Sequence, residues 1–388
     1  MSDFIPFVYT QKDCELIKRF YPDSSIVRVS LEGAGNLAQR LPAASQRWLD
    51  PAIDGMHRWP DWTPQYEAYL SRFNDFGRLG DPLFQAKPQS EVVDQCVSAV
   101  LDECVRHAPA WLSIPQLPIW DGSRRNKINR CLAASTRKWK LARNYKGKLI
   151  LPVIFTHQKQ LHLRAQTNKR IEQAISCYDL AGANGIWIVE SSLADQEGST
   201  TFERTRFPDL VSFHQQLGQT AAGTSISVAG PYWGMNLVVW ARGLVRHPAI
   251  GIGNSYQYHL PGGVLTSGKT RIALPPLRRW AIASSQLGDW LRQAIKQLPE
   301  GDKAHIQLAE ISRDFNRISL DGRPQVAKYY KDWLDEIASV PEKGRALALY
   351  HDFSSAYVIG KRLPDLPPGE QTARKPYRVA KQFMDNCL

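Results

Sequence analysis

Polar and aromatic residues recur at the ends of short apolar runs in this chain, and those ends are where chemistry would sit. They are Asp50 and Asp54 after QRWL, Asp121 after LPIW, His157 and Gln158 after LILPVIFT, and Glu190 after GIWIV. Tyr232 and Trp233 follow SISVAGP, and Asn254, Tyr256 and His259 follow AIGIG. Carboxylates in a pocket flanked by aromatics suit work at a glycosidic bond. One carboxylate stabilises or traps an oxocarbenium-like centre while another group manages protons. Aromatic faces can sandwich an extruded base. Each residue also has a plainer reading: an Asp as helix cap, a His as structural hydrogen bonder, Trp233 as core. Histidines and acids could bind a metal, but no H-x-H or H-E-x-x-H spacing occurs, so neither metal nor cofactor is expected.

The elements that would position these residues follow one rhythm. From Ser225 to Gly263 the chain reads as a β-α-β unit: SISVAG, then the apolar helix GMNLVVWARGLV, then AIGIGNSY. FIPFVY opens the chain as a short strand before a helix. Buried strands are expected at LILPVIFT and GIWIVE, where near-continuous apolar runs suit a parallel sheet. Amphipathic helices are expected at SEVVDQCVSAVLDECV, RAQTNKRIEQAISCYDLA and FPDLVSFHQQL, from apolar residues at the helical period. Strand runs at SSIVRV, RWLD, AWLSIP, LILPVIFT, GIWIVE, SISVAG, AIGIGN and RIALPP alternate with helices. That pattern predicts an α/β fold, a (β/α)8 TIM-like barrel, with an open doubly wound sheet as the alternative. No G-x-G-x-x-G follows the first strand, so a dinucleotide fold has little support. From about Ala283 the pattern turns helical, which divides the chain into a catalytic barrel over 1–282 and a helical C-terminal region over 283–388.

The composition, 43% hydrophobic and 22% charged over 388 residues, is that of a globular protein. No signal-peptide pattern or membrane-length apolar run occurs, so a cytoplasmic location without membrane contact is expected. The six cysteines are scattered, with no C-x-C or C-x-x-C pair, and read as buried thiols. The net charge of +12 is uneven: ten Lys/Arg and no acid lie between Gly122 and Lys148. Arg124, Arg125, Lys127, Arg130, Arg137, Lys138, Lys140 and Arg143, interleaved with Trp139 and Tyr145, are expected to contact nucleic-acid phosphates.

The order of pieces resembles the tRNA-guanine transglycosylase superfamily, including its DNA-acting branch. LDPAIDGMHRW resembles the family's early loop with a catalytic Asp, which falls on Asp50. VIFTHQ resembles its V-Q-G-type turn, with Gln158 nearest the Gln. GMNLVVWARGLVRHPAIGIGNSY resembles its late helix-to-strand unit, and Asn254 stands where a nucleophilic Asp is expected. The resemblance spans roughly Phe4 to Arg279 and lacks the family's C-x-C-x-x-C zinc site. It implies a DNA glycosylase that flips out and hydrolyses a hypermodified phage base from double-stranded DNA, in anti-phage defence. Asp50 or Asp54 would then be catalytic together with Asn254. Gln158, His157, Glu190 and His259 would read the base, and Tyr232, Trp233 and Tyr256 would stack on it. Base exchange on tRNA or DNA, or nucleic-acid binding without catalysis, are the alternatives.

Overall fold

Eight short, largely buried strands, one face on the lumen and the other on the helices, close into a parallel barrel. They are β1 (Ile5–Val8), β2 (Ile26–Ser30), β3 (Gln46–Asp50), β4 (Trp111–Ser113), β5 (Lys148–Phe155), β6 (Gly185–Glu190), β7 (Ile226–Ala229) and β8 (His247–Gly251). Each pairs with its successor, and β8 pairs with β1 to seal the ring. The fold is a (β/α)8 TIM-like barrel. The computed structural model describes residues 4–58, 90–119, 123–155, 164–191, 206–220, 226–252, 270–368 and 374–388, with positions 68, 71, 83, 193, 222 and 258.

β5 and β6 carry the sequence signal most directly. Every residue of both is buried except Lys148. One expected strand falls elsewhere. The RIALPP run forms β9 (Arg271–Leu274), which pairs antiparallel with β10 (Arg279–Ile282) outside the barrel. Pro275 and Pro276 end β9, and Arg278 at φ +49° turns the chain back. The ring position it was expected to fill is taken by β1, at the start of the chain.

The outer layer begins with α1 (Gln11–Phe20), whose N-terminus is closed by a reciprocal capping box between Thr10 and Asp13. It continues with α2 (Ser90–Val105), α3 (Ser123–Ala142), α4 (Arg164–Ala181), α5 (Phe207–Leu217) and α6 (Met235–Ala241). α6 is buried at every position. Gly234 at its start lets the Phe383 ring approach so closely that a Cβ there would lie 2.6 Å from it.

Towards the C-terminus follow α7 (Ser285–Lys296), α8 (Lys303–Arg313), α9 (Phe315–Leu320), α10 (Arg323–Ala338), α11 (Glu342–Arg362) and α12 (Arg378–Met384). They do not form one appendage. Ile272, Leu274, Leu291 and Leu308 make a second core from β9, α7 and α8. Trp333, Leu334, Phe353 and Phe383, from α10 to α12, belong to the barrel core. The division expected at 282/283 falls just after β10, so it separates the hairpin from α7 and α8, with which it shares a core, and α10 to α12 from the barrel core they complete. Helical periodicity shows that a stripe is apolar, but it does not show which surface that stripe meets.

Arg278 joins the two cores. Its Nη1 donates to the Tyr329 hydroxyl at 3.1 Å, and its Nη2 donates to Asp352 at 2.6 Å. Its guanidinium lies 5.0 Å from the Trp333 ring centre. Trp333 Nε1 donates to the other Asp352 oxygen at 2.7 Å, and Trp233 Nε1 donates to the Arg278 carbonyl at 3.1 Å. Arg278→Met should destabilise the protein by about 2 kcal/mol, because it leaves the partly buried Asp352 carboxylate without its counter-cation. Urea unfolding of the two proteins measures this, and a change under about 0.5 kcal/mol, the scale of an ordinary surface substitution, would show that Arg278 is no pin.

Candidate functional site

Side chains alternate across a strand, so register decides which residues enter the barrel. Phe7 aligns with Arg28, Arg28 with Trp48, and Ser30 with Asp50. The contacts agree with that register. The Phe7, Trp48 and Trp187 rings touch one another at 5.4–5.5 Å, and Trp187 meets Tyr258 at 5.2 Å. Trp48 Nε1 donates to Ser113 Oγ at 2.9 Å and Trp187 Nε1 to the Gly230 carbonyl at 2.6 Å. These rings fill the lumen, and their polar edges are satisfied.

Into that aromatic interior β2 sends a full charge. The Arg28 side chain is buried, with its guanidinium carbon 4.8 Å from the Phe7 ring centre, 5.4 Å from Trp187 and 5.5 Å from Tyr9. Its Nη2 donates to Asp50 Oδ2 at the C-terminal end of β3. Asp50 Oδ1 accepts the Ala52 backbone N–H at 3.1 Å, an Asx turn that holds Ala52 at φ +52°. Both carboxylate oxygens are thus engaged, and the group is 4% exposed. A carboxylate fixed by a guanidinium and an amide keeps its direction, which suits electrostatic stabilisation of a developing cation. Sequence reasoning found Asp50 but missed Arg28. The signal was present: one cation in the apolar run SSIVRVS needs a buried partner.

Glu190 was expected to face this pocket and does not. It aligns with Phe155, whose ring packs on Phe213 of α5, so by register it points to the helix layer. There Arg206, just before α5, donates Nε to its Oε1 at 2.9 Å, and the Tyr232 hydroxyl accepts the Glu190 backbone N–H. Burial pushes the Glu190 carboxyl up to about 7, against the opposing pull of Arg206. Tyr232 and Trp233 are likewise enclosed, not stacking platforms. Trp233 lies stacked at 6.2 Å on Tyr329 of α10, and its carbonyl accepts the Tyr330 hydroxyl. The backbone of Asp54 sits in the helical turn Ile53–Arg58, but its side chain lies outside the described residues. Asp121, His157, Gln158, Asn254, Tyr256 and His259 also lie outside them.

The basic segment is largely tied down. Arg143 grips Asp102 with Nε at 3.0 Å and Nη2 at 2.7 Å, and Lys138 pairs with Asp94 at 2.7 Å. Arg130 donates to Ser176 at 2.6 Å, Arg137 to the Asp179 carbonyl at 3.3 Å, and Lys140 to the Gly182 carbonyl at 3.0 Å. Trp139 is buried and donates to Asp102 at 2.9 Å, and Tyr145 packs on it. Placement matters too. α3 follows β4, so it starts at the barrel mouth and ends at the opposite rim, about 30 Å away for its 20 residues. Arg137, Lys138, Lys140 and Arg143 are therefore remote from Asp50 and cannot share one phosphate grip with the mouth. Lys127 is exposed near the mouth, while the side chains of Arg124 and Arg125 lie outside the described residues. Among the described residues no three His, Cys, Asp or Glu side chains converge on a metal position.

Two buried groups give the stability a pH signature. Burial depresses the His214 imidazole from 6.5 to about 3, so between those values the unfolded chain binds a proton the folded one does not. Stability there rises with pH and is lost as pH falls. Glu190 acts oppositely: raised from 4.5 to about 7, it binds a proton in the folded state first, so its contribution is lost as pH rises through that window. His214→Leu should flatten the acid limb of unfolding free energy against pH by on the order of 3 kcal/mol. Glu190→Gln should remove the decline towards neutrality. Urea titrations from pH 4 to 8 measure both, and limbs that do not move would refute the assignments.

Comparison with known proteins finds no matching family model and no matching curated relative.

Proposed function

We propose that this protein is an N-glycosidic bond hydrolase acting on DNA, a glycosylase that takes a flipped base into the barrel mouth. The observation that carries this reading is Asp50: a buried carboxylate at the C-terminal end of a barrel strand, clamped by Arg28 and the Ala52 amide. Strand ends on that face are where TIM barrels place their chemistry. In the proposed reaction the bond from C1′ to the base nitrogen breaks, and its electron pair leaves with the base. Asp50 stabilises the oxocarbenium ion. Water adds its oxygen to C1′ and the proton it releases goes to the departed base nitrogen, leaving an abasic site and a neutral free base. Arg28 is a positioning residue that acts through Asp50. Position 254 is Asn, and an amide is a poor covalent nucleophile, which favours hydrolysis over base exchange.

The sequence resemblance supplies the substrate class, a hypermodified base of phage DNA, and a cytoplasmic place of action in anti-phage defence. No helix among the described residues is long and apolar enough to cross a membrane. Asp50→Asn should lower base release by on the order of 10³-fold. Arg28→Lys should retain part of the activity, because the charge remains while the planar fork is lost. Free bases by mass spectrometry and abasic sites by aldehyde labelling, on several modified phage DNAs, give the readout. Thermal melts confirm that the variants are folded. Equal, background-level release by the wild-type and Asp50→Asn proteins on every DNA would sink the proposal.

A further inference from the structure

A cavity lies away from the lumen. It occupies about 300 Å³ between α3 and α4, on the helix side of β5. Its floor is apolar, made by Leu151 and Val153 of β5 with Ile119 and Ala174. One polar group in its wall is built in place. Gln116 is 4% exposed, and its Nε2 donates to the Pro115 and Asn129 carbonyls at 2.8 and 3.1 Å. Those two bonds fix the amide's orientation, since a flip would set its oxygen against two carbonyls. Among the described residues nothing donates to Gln116 Oε1. Asn129 is itself locked, accepting the Leu117 N–H at 2.8 Å and donating to the Leu117 carbonyl at 2.9 Å. The amide's orientation is therefore set by its neighbours, and its oxygen is left as an acceptor in the cavity wall.

The rim supplies charge. Arg130 and Lys169 line the cavity against one acid, Glu172. Arg130 is held across the gap between the two helices by its bond to Ser176 at 2.6 Å. Small-ligand sites typically combine an apolar body, a few fixed polar groups and a volume of this order. An apolar floor with one fixed acceptor suits a planar ring bearing N–H donors, and a net-cationic rim suits an anionic substituent.

We propose that this cavity binds a nucleoside monophosphate, its base on the β5 floor donating to Gln116 and its phosphate at Arg130 and Lys169. The same chemistry is offered by a free mononucleotide and by the phosphorylated 5′ end of a strand. The site does not depend on Asp50 or on the reaction proposed for it.

The test is calorimetric titration of the full chain. The titrants are the four common ribonucleoside monophosphates, the matching nucleosides, inorganic phosphate, and a short single strand with and without a 5′-phosphate. We expect saturable binding of at least one monophosphate, at least about tenfold weaker binding of its nucleoside and of phosphate alone, and no change in Asp50→Asn. Arg130→Glu combined with Lys169→Glu alters exposed side chains only, and should weaken binding at least about tenfold, the scale of one lost charge-assisted contact. Gln116→Leu should do the same while melting as a folded protein. Binding by the 5′-phosphorylated strand alone, lost in the Arg130→Glu/Lys169→Glu protein, would support the site and identify its source as a strand end. No saturable binding by any titrant would overturn the proposal. So would phosphate binding as tightly as the monophosphates, or binding lost in Asp50→Asn but retained in Arg130→Glu/Lys169→Glu.

Discussion

A guanidinium buried among aromatic rings is the constraint on which the rest of this barrel turns. Arg28 cannot enter the lumen without a counter-charge, and Asp50 supplies it from the neighbouring strand. Either residue without the other would cost stability, because an unpaired charge in an apolar interior costs several kcal/mol. The faces of Phe7, Tyr9 and Trp187 add electrostatic support that a solvated cation would not receive. The pairing also fixes the register of β2 against β3, since a slip by one residue would send one partner to the helix layer. Structure and candidate chemistry therefore rest on the same contact.

The outer layer solves a different problem. The chain carries many cations, and most of those described on α3 are satisfied locally by Asp94, Asp102, Ser176 and helix-end carbonyls. These bonds tie α3 to α2 and α4, so a segment that reads as a polyelectrolyte face works largely as a seam between neighbouring helices.

What was legible in the sequence follows from what sequence patterns encode. β5 and β6 were readable because a strand buried on both faces must be apolar throughout, and LILPVIF and GIWIVE are. Asp50 was readable because a strand followed by Asp-Pro marks a strand end. Glu190 was misplaced because its face depends on register with Phe155, a fact of pairing that no single strand contains. Trp233 was misassigned because its partners Tyr329 and Tyr330 lie almost a hundred residues on, in a helix that looked like part of an appendage. RIALPP looked like a barrel strand because local propensity cannot distinguish a parallel strand from half of a hairpin.

The return of α10 to α12 to the barrel has a consequence for how the protein is made. Trp333, Phe353 and Phe383 complete a core whose strands end at Gly251, with the satellite hairpin and α7 to α9 intervening in the chain. During synthesis, all eight strands leave the ribosome well before the side chains that cover them. The ring cannot bury its last apolar surface until α12 has left the ribosome. Folding of the barrel is on this account completed only once α12 has emerged, and the nascent chain must keep that uncovered surface from its neighbours in the meantime.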